Sequence, residues 1–209
     1  MTSDPQLVSS DVPAAAPAKK SWLGFALGLI AFVVVLAVAL AVLGDWLARN
    51  AEATRLVDRI EASEATMIAF QADVDTAIAS VGDLSAATPE QADAFNAELQ
   101  AIAADNLPAL ADAGAAVAST PILPWHPELA DARDAYADHN LAWQEYLTAL
   151  TEDPAVFAEP QERINDSFLL AEEVLRPAIP SPALFDLQDR LEVIFAPPPV
   201  DTSGPTQQV

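Results

Sequence analysis

The feature that most constrains this chain is a long apolar stretch near its N-terminus. Residues 22–44, WLGFALGLIAFVVVLAVALAVLG, contain no charged side chain. A helix rises about 1.5 Å per residue, so about 20 such residues cross a bilayer core of about 30 Å. Trp22 and Trp46 flank the stretch, where indole rings prefer the headgroup level. The sequence therefore predicts one transmembrane helix over residues 22–44.

A cleavable signal peptide is the competing interpretation of the same stretch. Lys19 and Lys20 would form its positive region, and Ala39-Leu40-Ala41 resembles a cleavage site. However, the apolar run exceeds the usual 7–15 residues, roughly, of a signal peptide, and a cleaved segment would not need Trp46 as a second interfacial anchor. An uncleaved anchor is the favoured interpretation.

The charges beside the apolar stretch predict its orientation. Lys19 and Lys20 lie directly before it, whereas Asp45 follows it and the next basic residue is Arg49. Positive charge near a membrane helix favours the cytoplasmic side. We therefore expect a single-pass protein of the cell membrane, a signal-anchor, with a cytoplasmic N-terminus and the rest of the chain extracytoplasmic.

Two glycines in the apolar stretch are candidates for packing within the bilayer. Gly24 and Gly28 form a G-x-x-x-G pattern, which lets helix backbones approach closely. This pattern predicts contact with another membrane protein or with a second copy of the chain. Chance spacing in a helix rich in Ala and Gly is the alternative.

Charge and cysteine usage exclude several functions. The chain has 9 basic and 31 acidic residues, a net charge of −22, and no cysteine. Such a surface repels nucleic acid, which we therefore do not expect as a partner. The missing cysteines exclude disulfides, thiolate nucleophiles and thiolate metal sites.

Hydrophobic periodicity after the apolar stretch is helical. Apolar residues recur at three- and four-residue spacing from Ala53 to Val81, interrupted only by Ser63. Only Gly82 and Gly114 are glycines between Asp45 and Ser203, and no sustained period-2 run appears. The prediction is an all-α protein, with the transmembrane helix continuing into an antiparallel bundle of four to five helices.

The chain accordingly divides into four parts. Residues 1–21 and 197–209 are rich in Pro, Ser and Ala or in polar residues, and are predicted to be disordered tails. Residues 22–44 form the membrane helix between them and residues 45–196. The latter form one acidic helical-bundle domain.

Local signals predict where the helices begin and end. Gly82 should end the first helix, and Thr88, Pro89 and Gln91 form a capping box for the second.

Prolines mark the later helices. Pro108 should kink the second helix near Asn106, and Pro127 should open the third. A fourth helix is expected from about Pro160 and should be interrupted at Pro177, and a fifth is expected after Ser181-Pro182.

Polar aromatic residues cluster on the third predicted helix. Tyr136, His139, Trp143 and Tyr146 lie at positions i, i+3, i+7 and i+10 of one face. Such side chains suit a ligand-binding or partner-binding pocket, because apolar rings carry polar tips and imidazole titrates near neutral pH. The alternative is that this stripe is ordinary core.

Evidence for catalysis or metal binding is weak. Asp131, Asp134 and Asp138 share one helical face, but a solvated acidic surface explains them, and no EF-hand, H-E-x-x-H or Glu-x-x-His pattern occurs. G-x-S-x-G and S-x-x-K are also absent. We expect no enzyme, no metal and no cofactor.

These observations predict a non-catalytic, membrane-anchored interaction or accessory module, a subunit of a larger membrane or cell-envelope complex. The alternative is an extracytoplasmic ligand-binding domain that acts with a separate signalling partner. A membrane helix running into an antiparallel bundle resembles the build of bacterial chemoreceptor sensor domains, and that resemblance implies ligand sensing. The second membrane helix and cytoplasmic output domain of those receptors have no counterpart in this sequence.

Overall fold

The computed structural model describes residues 22–82, 86–184 and 186–196, with side chains from Ala26 onward. Within these ranges the chain forms five α-helices and no strand, which confirms the predicted all-α fold. The helices are α1 (Trp22–Val81), α2 (Pro89–Ala118), α3 (Pro127–Glu152), a 3₁₀ helix (Pro154–Ala158), α4 (Glu162–Ala178) and α5 (Leu187–Ile194). The tails predicted to be disordered lie outside the described residues.

The chain divides into two compact units, Met1–Leu43 and Gly44–Val209. In the first unit every side chain from Leu27 to Leu43 is exposed. One helix of the described chain is long and apolar enough to cross a membrane, judged by length and composition alone.

Contacts between α1 and α2 in the second unit show that these helices run in opposite directions. Arg59 of α1 bonds the backbone oxygen of Ala116 near the end of α2, whereas Asp73, further along α1, accepts from Asn106 at 3.1 Å. Residue numbers therefore rise along one helix as they fall along the other. The result is the antiparallel packing that the sequence predicts.

Helix ends follow the local signals for α1 and α2. Gly82 has φ of +79°, a left-handed conformation that glycine adopts without a Cβ clash, and its N–H donates to Ile78 at 3.1 Å. Thr88 Oγ1 accepts from the Gln91 N–H, and Gln91 Oε1 accepts from the Thr88 N–H, which confirms the capping box.

Pro108 lies inside α2, which continues through it as a single helix. The Asn106 side chain donates to the Ile102 oxygen at 3.0 Å in this region. The kink expected near Asn106 stays a prediction.

Two predicted boundaries in the last third of the chain are wrong. Helix α4 includes Pro177, because a proline in the final turn removes only one hydrogen bond. Helix α5 begins at Leu187 and not directly after Ser181-Pro182. The reason is a long-range contact: the Leu184 N–H donates to Asn50 Oδ1 at 2.8 Å, which ties this segment to α1 before a helix can start.

Two buried apolar clusters form the core of the bundle. The first includes Leu56, Ile60, Tyr136, Leu175 and Leu191. The second includes Phe70, Leu99, Leu110, Leu147 and Leu150.

A buried polar contact lies between these clusters along α1 and α3. Asn140 donates to Ser63 Oγ at 2.7 Å and accepts from Gln144 at 2.6 Å. A Cβ on Gly114 would stand 2.2 Å from Asn140 Oδ1, so glycine is needed where α2 crosses α3. Ser63, the one interruption of the apolar stripe, is therefore the partner of Asn140.

Candidate functional site

An open groove on the bundle is the strongest candidate site. It measures about 440 Å³ and receives side chains from α1, α3, α4 and α5. Its lining includes Glu64, Ile68, His139, Trp143, Phe168 and Val193. A smaller hollow of about 240 Å³ adjoins it, shares Glu64, Ile68 and Val193, and extends to Glu61.

Another hollow, of about 490 Å³, lies over residues 181–189. Its described lining comes from this one segment. It therefore brings together no side chains that are distant in the sequence, unlike the groove.

Apolar side chains stand exposed on the walls of the groove. Ile68 on α1 is 60% exposed, and Val193 on α5 is 78% exposed. The buried stripe of α1 includes Met67 and that of α5 includes Leu191. Ile68 and Val193 lie beside these stripes and not on them. An exposed apolar wall next to a concave surface is typical of a binding site.

Glu64 contributes a half-buried carboxylate to the groove. The hydroxyl of Tyr136, which is fully buried, donates to Glu64 Oε1. Burial raises the pKa of Glu64, and the hydrogen bond from Tyr136 offsets this only in part. In the described ranges no Lys, Arg or His forms an ion pair with Glu64.

His139 lines the groove as a neutral imidazole. Ser167 Oγ donates its only proton to the Ile164 oxygen at 2.9 Å and lies 3.0 Å from His139 Nδ1. Nδ1 must therefore donate to Ser167, which leaves the lone pair on Nε2. Burial lowers the pKa of His139 to about 4, so the ring is uncharged at neutral pH.

The four aromatic positions predicted from the sequence separate in the structure. His139 and Trp143 line the groove, and Tyr136 reaches it through its bond to Glu64. Tyr146 is half-buried and packs edge-on against Phe70 at 6.4 Å, beside the second core cluster. Sequence reasoning missed Glu64, Ile68 and Val193.

A second charged cluster lies around His126. Its Nδ1 is 2.6 Å from Glu52 Oε2 and its Nε2 is 3.2 Å from Asp45 Oδ1, so both nitrogens donate only when the ring is protonated. Burial alone would lower the pKa of His126, but the bonds and charges of Glu52 and Asp45 outweigh it and raise that pKa. Glu52 Oε1 also accepts from the Leu123 N–H at 3.0 Å, which closes the cluster.

Two of the three carboxylates on the acidic face of α3 form ion pairs. Asp138 accepts two bonds from Arg163, at 2.7 and 2.8 Å, and Asp134 pairs with Arg133. No three His, Asp or Glu side chains in the described part of the chain are grouped to hold a metal ion.

The candidate packing face in the apolar stretch is described only in part. Gly28 is exposed, and a Cβ placed there would meet nothing within 4 Å. The surroundings of Gly24 lie outside the described residues. Packing of this face against a partner stays a prediction.

The chain matches no family model, no curated protein and no solved structure. The groove combines exposed apolar walls, a half-buried carboxylate and a neutral histidine.

Proposed function

We propose that the protein is a non-catalytic binding module held at the membrane by its apolar helix, an accessory subunit whose partner occupies the groove. The observation that carries the proposal is the groove itself, with Ile68 and Val193 exposed on its walls. Exposure of two large apolar side chains beside a concave surface is explained if a partner covers them.

Membrane attachment is supported by the first unit. Its side chains are apolar and exposed from Leu27 to Leu43, and water is a poor solvent for such a surface. The lysines before the stretch support a cytoplasmic N-terminus. In this proposal the groove faces the extracytoplasmic side.

Orientation can be tested because the chain has no cysteine. An Ala94→Cys substitution places one thiol on an exposed position of α2. We expect an impermeant maleimide to label it in intact cells. Labelling only after lysis would reverse the proposed topology.

The binding role is tested by purification of the full chain in mild detergent. Wild type should retain a stoichiometric membrane protein, identified by mass spectrometry, and Val193→Asp should lose it. Leu170→Asp is the matched control, since Leu170 is exposed on α4 but does not line the groove. Equal recovery with wild type and Val193→Asp, or no partner at all, would contradict the proposal.

Ligand sensing is the second candidate function. His139 favours it, because this buried residue lines the groove as a neutral ring whose Nε2 keeps a lone pair that can accept a hydrogen bond. A thermal-shift screen of the full chain against small metabolites tests this candidate. A ligand that stabilises wild type but not His139→Phe would support sensing over the subunit role.

A further inference from the structure

We propose that the groove binds a short helical segment of a partner protein, which presents one Lys or Arg side chain to Glu64 among apolar side chains. This inference rests on the proposed function and names the chemistry of the partner.

The arginine of α5 is already paired with other carboxylates. Arg190 on α5 bonds Glu61 twice, at 2.7 and 2.6 Å, and Asp58 at 2.6 Å. The charge of Arg190 is thus paired with two carboxylates of α1 that precede Glu64. The Glu64 carboxylate has only the Tyr136 hydroxyl as a donor in the part of the chain that is described.

The arrangement of Tyr136 orients the carboxylate for a cation. Tyr136 donates to Oε1 from within the core, and no described side chain or N–H donates to Oε2. A carboxylate oxygen without a donor, at the edge of an apolar surface, is a site for a charge-assisted bond from Lys or Arg.

The chain is a poor source of this cation. No lysine occurs after Lys20, and residues 197–209, which continue from the groove-lining Ala196, contain neither Lys nor Arg. With a net charge of −22, the chain also attracts basic partners over a distance. Charge complementarity therefore favours a separate, basic segment.

The shape of the groove favours a helix over a compact ligand. The groove and the adjoining hollow together follow α1 from Glu61 to Gln71. Ten residue steps at about 1.5 Å each give a length of about 15 Å, which is close to three helical turns. Ile68 and Val193 then contact apolar side chains of the bound helix, which recur at three- and four-residue spacing in helix-in-groove complexes.

The test uses the full chain in lipid nanodiscs and a phage library of random dodecapeptides. Phage are first depleted on the Val193→Asp variant, so that the peptides selected on wild type need the groove. We expect the enriched peptides to share one Lys or Arg among apolar residues at helical spacing.

A synthetic peptide with the enriched sequence is then measured against two variants. Glu64→Gln should lower its affinity about tenfold or more, because the charge pair is lost although Gln still accepts from Tyr136. Glu98→Gln removes an exposed carboxylate on α2 and should bind as wild type does.

The failures of the two proposals are distinguishable. Groove-dependent peptides without a basic residue, or equal affinity for wild type and Glu64→Gln, would overturn the inference and leave the proposed function standing. If no groove-dependent peptide is enriched, both the inference and the groove as a protein-binding site are wrong.

Discussion

Glu52 and Glu64 lie about three turns apart on α1 and meet opposite surroundings. Glu52 is buried, and both of its oxygens accept bonds from residues of the chain, one of them from His126. Glu64 faces an open groove and has a hydroxyl as its only donor among the described residues. The chain neutralises the first carboxylate, whereas no basic side chain among the described residues pairs with the second.

The difference distinguishes a structural site from the proposed binding site. Removing one partner of an internally paired group lowers stability because the other partner is left unpaired, whereas a half-buried charge without a partner already lowers stability unless a ligand supplies the partner. The Ser63–Asn140 contact belongs with the His126 cluster, because its polar atoms are paired inside the bundle.

The largest expected effect is at the His126 cluster. Glu52→Ala removes the acceptor of the buried ring and of the Leu123 N–H. We expect a loss of about 3 kcal/mol in the free energy of unfolding, measured by urea titration of the full chain in detergent. Glu98→Ala, at an exposed position, should change it by less than about 0.5 kcal/mol. A similar small loss for Glu52→Ala would remove the distinction between the two sites.

The next effect concerns the close approach of α2 and α3. Gly114→Ala places a methyl group against Asn140 and should lower the free energy of unfolding by about 2 kcal/mol. A double-mutant cycle sharpens the test, since Gly114→Ala should cost less in an Asn140→Ala background. Equal losses in both backgrounds would show that Asn140 is not the obstacle.

The pH dependence of the His126 cluster has a definite sign. The pKa of His126 is raised in the folded state, so its contribution to stability is complete below the unfolded value of 6.5. That contribution is lost as pH rises through the folded pKa. The difference in unfolding free energy between wild type and Glu52→Gln should therefore shrink above pH 6.5. A constant difference across this range would contradict protonation of the ring in the folded protein.

The smallest expected effect is at Glu64, where substitution should raise the stability of the fold and not lower it. Its folded pKa lies above the unfolded value of 4.5, so stability falls as pH rises through this interval and the cost persists at pH 7. Glu64→Gln should raise the thermal midpoint at pH 7, and the gain should vanish below pH 4. A lower midpoint at pH 7 would mean that the carboxylate is stabilised by the bundle after all.

Helix ends that depend on hydrogen bonds within one turn could be predicted from the sequence, and those that depend on distant residues could not. The capping box at Thr88 and the glycine at position 82 act within one turn, so the sequence predicts those helix ends. The start of α5 was missed because Asn50, far away in the chain, holds the Leu184 N–H.

The site was only partly predictable for a similar reason. The polar aromatic stripe of α3 identified His139 and Trp143, since both lie on one helix face. Glu64 and Val193 belong to other helices and meet the stripe only through packing. No periodicity within one helix indicates which carboxylate will lack a basic neighbour.

Helix α5 has a further consequence for the groove. At eight residues it is shorter than the 12–15 residues, roughly, at which isolated helices become even marginally stable, so it depends on Leu187, Leu191 and Arg190 for attachment. We expect its amide hydrogens to exchange with solvent faster than those of α3, through local opening without global unfolding. The width of the groove at Val193 therefore depends on how firmly these three side chains hold α5 against the rest of the bundle.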